Sequence, residues 1–146
     1  MFMKTLLVLT LSGCSVSVQP TQQYLAPELS LGTVGSYWKE FCNYCPCKGK
    51  TQFIVLVGRL PTSATGTAVA HCTATPGGGI YIRVDEWLQW SNMQRRVATA
   101  HELGHCELGK GHDAKNWLMQ GNGVTDWELK DKTVEDVYAA ACDFKR

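Results

Sequence analysis

The chain has 146 residues, a net charge of +1 and 45% hydrophobic residues, enough for one compact core but not for two domains of ordinary size. Charged side chains make up 18% and nearly balance in sign, which excludes a disordered polyelectrolyte and gives no basic excess for a nucleic-acid partner. The informative counts are seven cysteines and only four histidines, three of which, His101, His105 and His112, crowd into one short stretch.

Residues 1–13 carry Lys4, then the apolar run Leu6-Leu7-Val8-Leu9, and end in Ser12-Gly13. This is the layout of a secretion leader, since a spanning helix needs about 20 apolar residues. Leu11-Ser12-Gly13-Cys14 resembles the lipobox of bacterial lipoproteins. The resemblance implies cleavage before Cys14 and lipidation of that cysteine. Ser15 in place of Asp after it implies an outer-membrane anchor facing the periplasm of a bacterial cell envelope. Loss of Lys4 with the leader leaves thirteen basic and thirteen acidic side chains, so no electrostatic partner is implied. Residues 14–36 mix Ser, Gln, Thr, Pro and Gly with the single charge Glu28 and read as a lipidated, flexible tether ahead of a domain over 37–146.

Cys42, Cys45, Cys47, Cys72, Cys106 and Cys142 form an even set in a chain addressed to an oxidising compartment, which predicts three disulfides. Connectivity stays open among 15 possibilities. Packing of a strand against the helix that follows favours Cys72 with Cys106, and leaves Cys142 for the Cys42–Cys47 cluster. A second zinc cluster built on Cys42, Cys45 and Cys47 is the rival reading.

In chain order, Gln52 to Val57 is a continuous apolar run of the kind found in buried strands. A weaker strand covers about Thr67 to Cys72. After the Pro76-Gly77-Gly78-Gly79 turn comes an alternating strand from Ile80 to Val84. Asp85 is placed to cap a short helical turn reaching Trp90, and Ser91-Asn92-Met93-Gln94 reads as a capping box that opens the main helix. That helix is expected to run to about Leu108 and stop at Gly109. Thr133 is expected to cap a last helix, with Val134, Val137, Tyr138 and Ala141 at helical spacing. The expected fold is α+β, a small twisted sheet packed on the main helix and stapled by disulfides.

Within the main helix lies His101-Glu102-Leu103-Gly104-His105. At 3.6 residues per turn the two histidines share a face and can reach one zinc ion, while Glu102 points one position round, where a general base belongs. His112 is the candidate third ligand. Seven residues of continued helix would carry it about 10 Å past His105, so the helix must end between them. Gly109 provides that stop, and Gly111 adds freedom.

The stretch from His101 to His112 resembles the zinc-binding consensus of metzincin metallopeptidases, HExxHxxGxxH, with one extra residue before the glycine. It is similar to the site of small secreted or lipoprotein bacterial metallopeptidases with a longer spacer. The resemblance implies a minimal zincin holding one catalytic Zn2+ on His101, His105 and His112. Glu102 would be general base in peptide-bond hydrolysis, and Met119, seven residues past His112, would be the methionine of the Met-turn. It also implies an endopeptidase with a peptide or protein substrate lying along the edge strand before the helix, the position matched by Ile80 to Val84. Asp113 is either an acceptor that orients a ligand or a solvated turn carboxylate. Asp113 and Glu128 are the alternatives to His112 as third ligand. The competing function is a noncatalytic zinc-binding interaction lipoprotein; an attack on peptidoglycan has no motif here.

Overall fold

The computed structural model describes residues 34–61, 64, 66–73, 78–121 and 126–143. The leader, Cys14 and most of the expected tether lie outside the described residues. Among the described residues, five helices, α1 (Val34–Tyr44), α2 (Val84–Gln89), α3 (Asn92–Cys106), α4 (Asp126–Leu129) and α5 (Val134–Cys142), accompany three strands, β1 (Phe53–Val57), β2 (Ala70–Cys72) and β3 (Gly79–Arg83). The class is α+β, with one small mixed sheet. No helix among the described residues is long and apolar enough to cross a membrane.

α1 begins inside the segment assigned above to the tether. Val34, Tyr37 and Phe41 lie on one face of it and are buried, so residues 34–36 belong to the domain. Tyr37 meets the Trp87 ring edge-on, and Glu40 forms an ion pair with Arg96 of α3 at 3.2 Å.

The sheet order is β1-β3-β2, with β1 parallel and β2 antiparallel to β3. This overturns two expectations. β1 is an edge strand whose only buried residue is Leu56, and Phe53 is 38% exposed, because it is bonded on one side only. β3, expected at the edge, is central. Ile80 and Ile82 are fully buried and both flanks are taken by strands, so β3 cannot pair with a substrate. It ends at Arg83, and Val84 already starts α2. Asp85 does not cap that helix either: Arg83 occupies the cap position without a side-chain bond, and Asp85 pairs with the Arg83 guanidinium.

α3 lies across the middle of the domain and touches α1, α5, β2 and β3. Ser91 and Gln94 exchange the two bonds of a capping box at its start, as the sequence predicts. Val97, Ala100 and Leu103 form its core face. α5 starts at a second capping box, Thr133 with Asp136, and buries Val137, Tyr138 and Ala141. The six cysteines pair as Cys42–Cys47, Cys45–Cys142 and Cys72–Cys106, with Cα separations of 5.2, 5.5 and 5.8 Å. These pairs remove the cysteine ligands that a second zinc cluster would need.

Candidate metal centre

The last two turns of α3 carry His101, Glu102 and His105, and the way the helix ends brings in His112. α3 stops at Cys106 rather than Leu108, with Glu107 at the cap. Gly109 then takes a positive φ of 67°. Its N–H bonds the His105 carbonyl at 3.1 Å, the 5→1 bond of a left-handed cap, and the Lys110 N–H reaches further back to the Gly104 carbonyl at 3.0 Å. The chain reverses, and His112 returns to the face it left. The three rings form a near-triangle with centroids 4.7, 5.4 and 4.8 Å apart. One donor nitrogen from each lies within 4.8 Å of the others, so these residues can hold a metal ion.

Hydrogen bonding fixes which nitrogens point inward. His101 Nδ1 lies 2.6 Å from the Leu118 carbonyl and His105 Nδ1 lies 2.6 Å from the Lys110 carbonyl. A carbonyl oxygen only accepts, so both Nδ1 atoms carry the proton and each neutral ring keeps its lone pair on Nε2. Those two Nε2 atoms face each other at 3.0 Å. Two lone pairs at that separation repel unless a cation or proton lies between them. Ligands at about 2.0–2.1 Å from one tetrahedral ion would stand roughly 3.3 Å apart. Burial favours the neutral rings. It is the main reason that His101 titrates down to about 4, with His105 and His112 adding to the effect and the Leu118 carbonyl opposing it. The same burial, opposed by the Lys110 carbonyl, lowers His105.

Glu102 is 7% exposed. Burial raises its carboxyl to about 7, against a hydrogen bond from the Cys72 N–H that favours the ionised form. That N–H belongs to the outer edge of β2. The Thr73 N–H and the Val69 carbonyl bond inward to β3, so the backbone of Ala70 and Cys72 faces away from it. β2, not β3, is therefore the edge beside the site. Gly104 lets Met119 pack close under the rings: a Cβ there would sit 2.7 Å from Sδ, and the end of this buried methionine would have to shift.

Asp113 does not orient a ligand. Its carboxylate accepts the Lys115 N–H at 2.9 Å and stabilises its own turn, while both oriented imidazoles use backbone carbonyls instead. Glu128 takes a bond from Gln120 Nε2 at 3.0 Å and is no part of the three-histidine group. His71 on β2 is close enough to His105 to help depress it, a proximity that sequence spacing does not reveal. Glu107, which no sequence motif singles out, is fully buried. Its carboxylate accepts the N–H groups of Lys48 at 2.9 Å, Lys50 at 3.4 Å and Thr51 at 2.7 Å, and so ties the end of α3 to the loop before β1. No protein-family profile, curated protein or solved structure matches the chain.

Proposed function

We propose that this protein is a zinc-dependent endopeptidase of metzincin-like design, held at the bacterial cell envelope through a lipid on Cys14. One observation carries the reading: two imidazoles with Nδ1 protons committed to carbonyls turn their Nε2 lone pairs on each other at 3.0 Å, with a third histidine beside them. An all-imidazole set suits zinc over magnesium or calcium, which prefer oxygen ligands, and three protein ligands leave a position open, as catalytic sites require. Zinc bound there supplies Lewis acidity to a peptide carbonyl and acidifies a water molecule.

The chain's own residues do the rest. His101, His105 and His112 hold the ion. Glu102, one position round the helix from His101, takes the proton of the attacking water and returns it to the leaving nitrogen. The Cys72 N–H keeps its carboxylate in place. The outward-facing N–H and carbonyl of Ala70 on the same strand bind an extended peptide by backbone pairing, which selects shape over sequence. Three disulfides support residence in an oxidising compartment.

The test uses the full chain with Cys14→Ser, so that no lipid is attached. Bound zinc is measured, and hydrolysis of an unfolded protein is compared with that of the same chain carrying Glu102→Gln. One zinc per chain in both, with activity lost only in the Gln variant, is the expected result. Equal hydrolysis in both, or none in either, would leave the metal a stabilising role in a noncatalytic binding protein.

A further inference from the structure

We infer that Asn116 is a positioning residue of the metal centre, acting through the peptide unit that joins Leu118 to Met119. The inference rests on the metal reading above and goes beyond it by naming what aims the ligands.

That peptide unit has two sides. Its carbonyl, of Leu118, receives the Nδ1–H of His101 at 2.6 Å. Its N–H, of Met119, donates to the Asn116 carbonyl at 3.0 Å and to Asn116 Oδ1 at 3.3 Å. The C=O and N–H of a trans peptide point in opposite directions, so anchoring one aims the other. Oδ1 also accepts the Leu118 N–H at 3.1 Å, which fixes the preceding peptide unit, and Nδ2 reaches α5 to bond the Ala140 carbonyl at 2.8 Å. The turn is closed by the Asp113 N–H on the Met119 carbonyl at 3.0 Å and by the Asn116 N–H on the Asp113 carbonyl at 3.1 Å.

This one turn therefore governs three parts of the site. It begins at the residue after His112, it delivers the acceptor that fixes the His101 tautomer, and it seats Met119 under Gly104. Leu118 and Met119 are at most 1% exposed, so water cannot readily replace the lost acceptor. Removing Oδ1 strips the Leu118 N–H of this acceptor and leaves the Met119 N–H held by the Asn116 backbone carbonyl alone, so the turn loosens on the side that aims the Leu118 carbonyl at His101. The Asp113 carboxylate, engaged with the Lys115 N–H, offers no substitute.

The experiment separates the turn from the tie to α5. In the full chain with Cys14→Ser, zinc affinity is measured by chelator competition at neutral pH, with the visible spectrum of the Co2+ form as a readout of ligand geometry and urea midpoints of the metal-free protein as a control. Asn116→Ala removes the acceptor and the donor. Asn116→Asp keeps an oxygen for the two N–H groups, loses the bond to Ala140 and sets a carboxylate oxygen against that carbonyl. The expected result is a loss of about 10- to 100-fold in zinc affinity for Asn116→Ala, with an altered Co2+ spectrum, and retention within about threefold for Asn116→Asp. Wild-type affinity in Asn116→Ala overturns the inference. Equal losses in both variants also overturn it, because the tie to α5 would then be what matters. A parent chain that takes up no zinc removes the metal reading and this inference together, whereas zinc uptake unchanged in Asn116→Ala removes this one alone.

Discussion

Replacing Glu107 tests whether the end of α3, which carries His101 and His105, is fixed by a buried charge. The carboxylate sits at the C-terminal cap of α3, where the helix dipole disfavours a negative group, and it is fully buried. What offsets both costs is the set of three backbone donors from residues 48–51. Those hydrogen bonds hold the Glu107 carboxyl below the usual carboxylate range despite the opposing effect of burial. In Glu107→Gln the volume is kept, but an amide NH2 must face either the Thr51 N–H or the donors of Lys48 and Lys50. Thr51 is 8% exposed, so its N–H cannot turn to water, whereas Lys48 and Lys50 lie on an exposed loop. Counting one charge-assisted bond at roughly 1.5–3 kcal/mol and little from the two wet ones, Glu107→Gln costs about 2 kcal/mol, and Glu107→Ala about 3–4 kcal/mol with its cavity.

Urea unfolding of the disulfide-intact protein measures the loss, and its pH dependence checks the cause. A depressed native pKa means that the ionised group contributes stability above its unfolded-state pKa, and that this contribution is lost as pH falls through the native value. The wild type should therefore weaken in acid more steeply than Glu107→Gln, and the two curves should converge at low pH. A Gln variant as stable as wild type near pH 7, or parallel acid profiles, would refute the account.

The other predictions concern the site and its staples. His112→Ala should weaken zinc binding by orders of magnitude in a chelator competition; unchanged affinity would remove His112 from the ligand set. Glu102→Gln should lower peptide hydrolysis by about 10²–10⁴-fold with zinc content retained. Gly104→Ala forces a Cβ to 2.7 Å from the Met119 Sδ, and should cost about 1–3 kcal/mol in thermal or urea unfolding while lowering metal affinity. Among the disulfides, loop-closure entropy ranks them by sequence separation of 97, 34 and 5, which predicts losses of about 4.7, 3.8 and 2 kcal/mol for double Cys→Ser replacement of Cys45–Cys142, Cys72–Cys106 and Cys42–Cys47. Midpoint shifts in a different order would argue against a chain-entropy origin.

Local signals were legible and relational ones were not. The two capping boxes, at Ser91 and Thr133, are written within four residues each, and both hold. α1 was missed because Gly35 and Ser36 are poor helix formers placed next to a tether-like composition. Its stripe of Val34, Tyr37 and Phe41 becomes decisive only through packing on α3 and α5. Strand order has no local signature at all. The resemblance to metzincins put Ile80 to Val84 at a sheet edge, yet the parallel pairing with β1 skips over β2 and moves β3 to the centre. Glu107 was missed for the same kind of reason: its three donors lie 56 to 59 residues away in sequence.

The candidate metal centre divides along the same line. Its three histidines and Glu102 fall within twelve residues, and the geometric demand that the helix break before His112 could be met only by a residue such as Gly109, which indeed takes the left-handed turn. The groups that orient the imidazoles, however, are the carbonyls of Leu118 and Lys110, and a carbonyl is the same in every residue. Sequence can encode such an acceptor only indirectly, through whatever residue bends the backbone to aim it. Gly109 does this for Lys110, and the side chain of Asn116 does it for Leu118. In a candidate site whose imidazoles lean on backbone, the turn formers around them, Gly109 and Asn116, are therefore as much part of the site as the histidines.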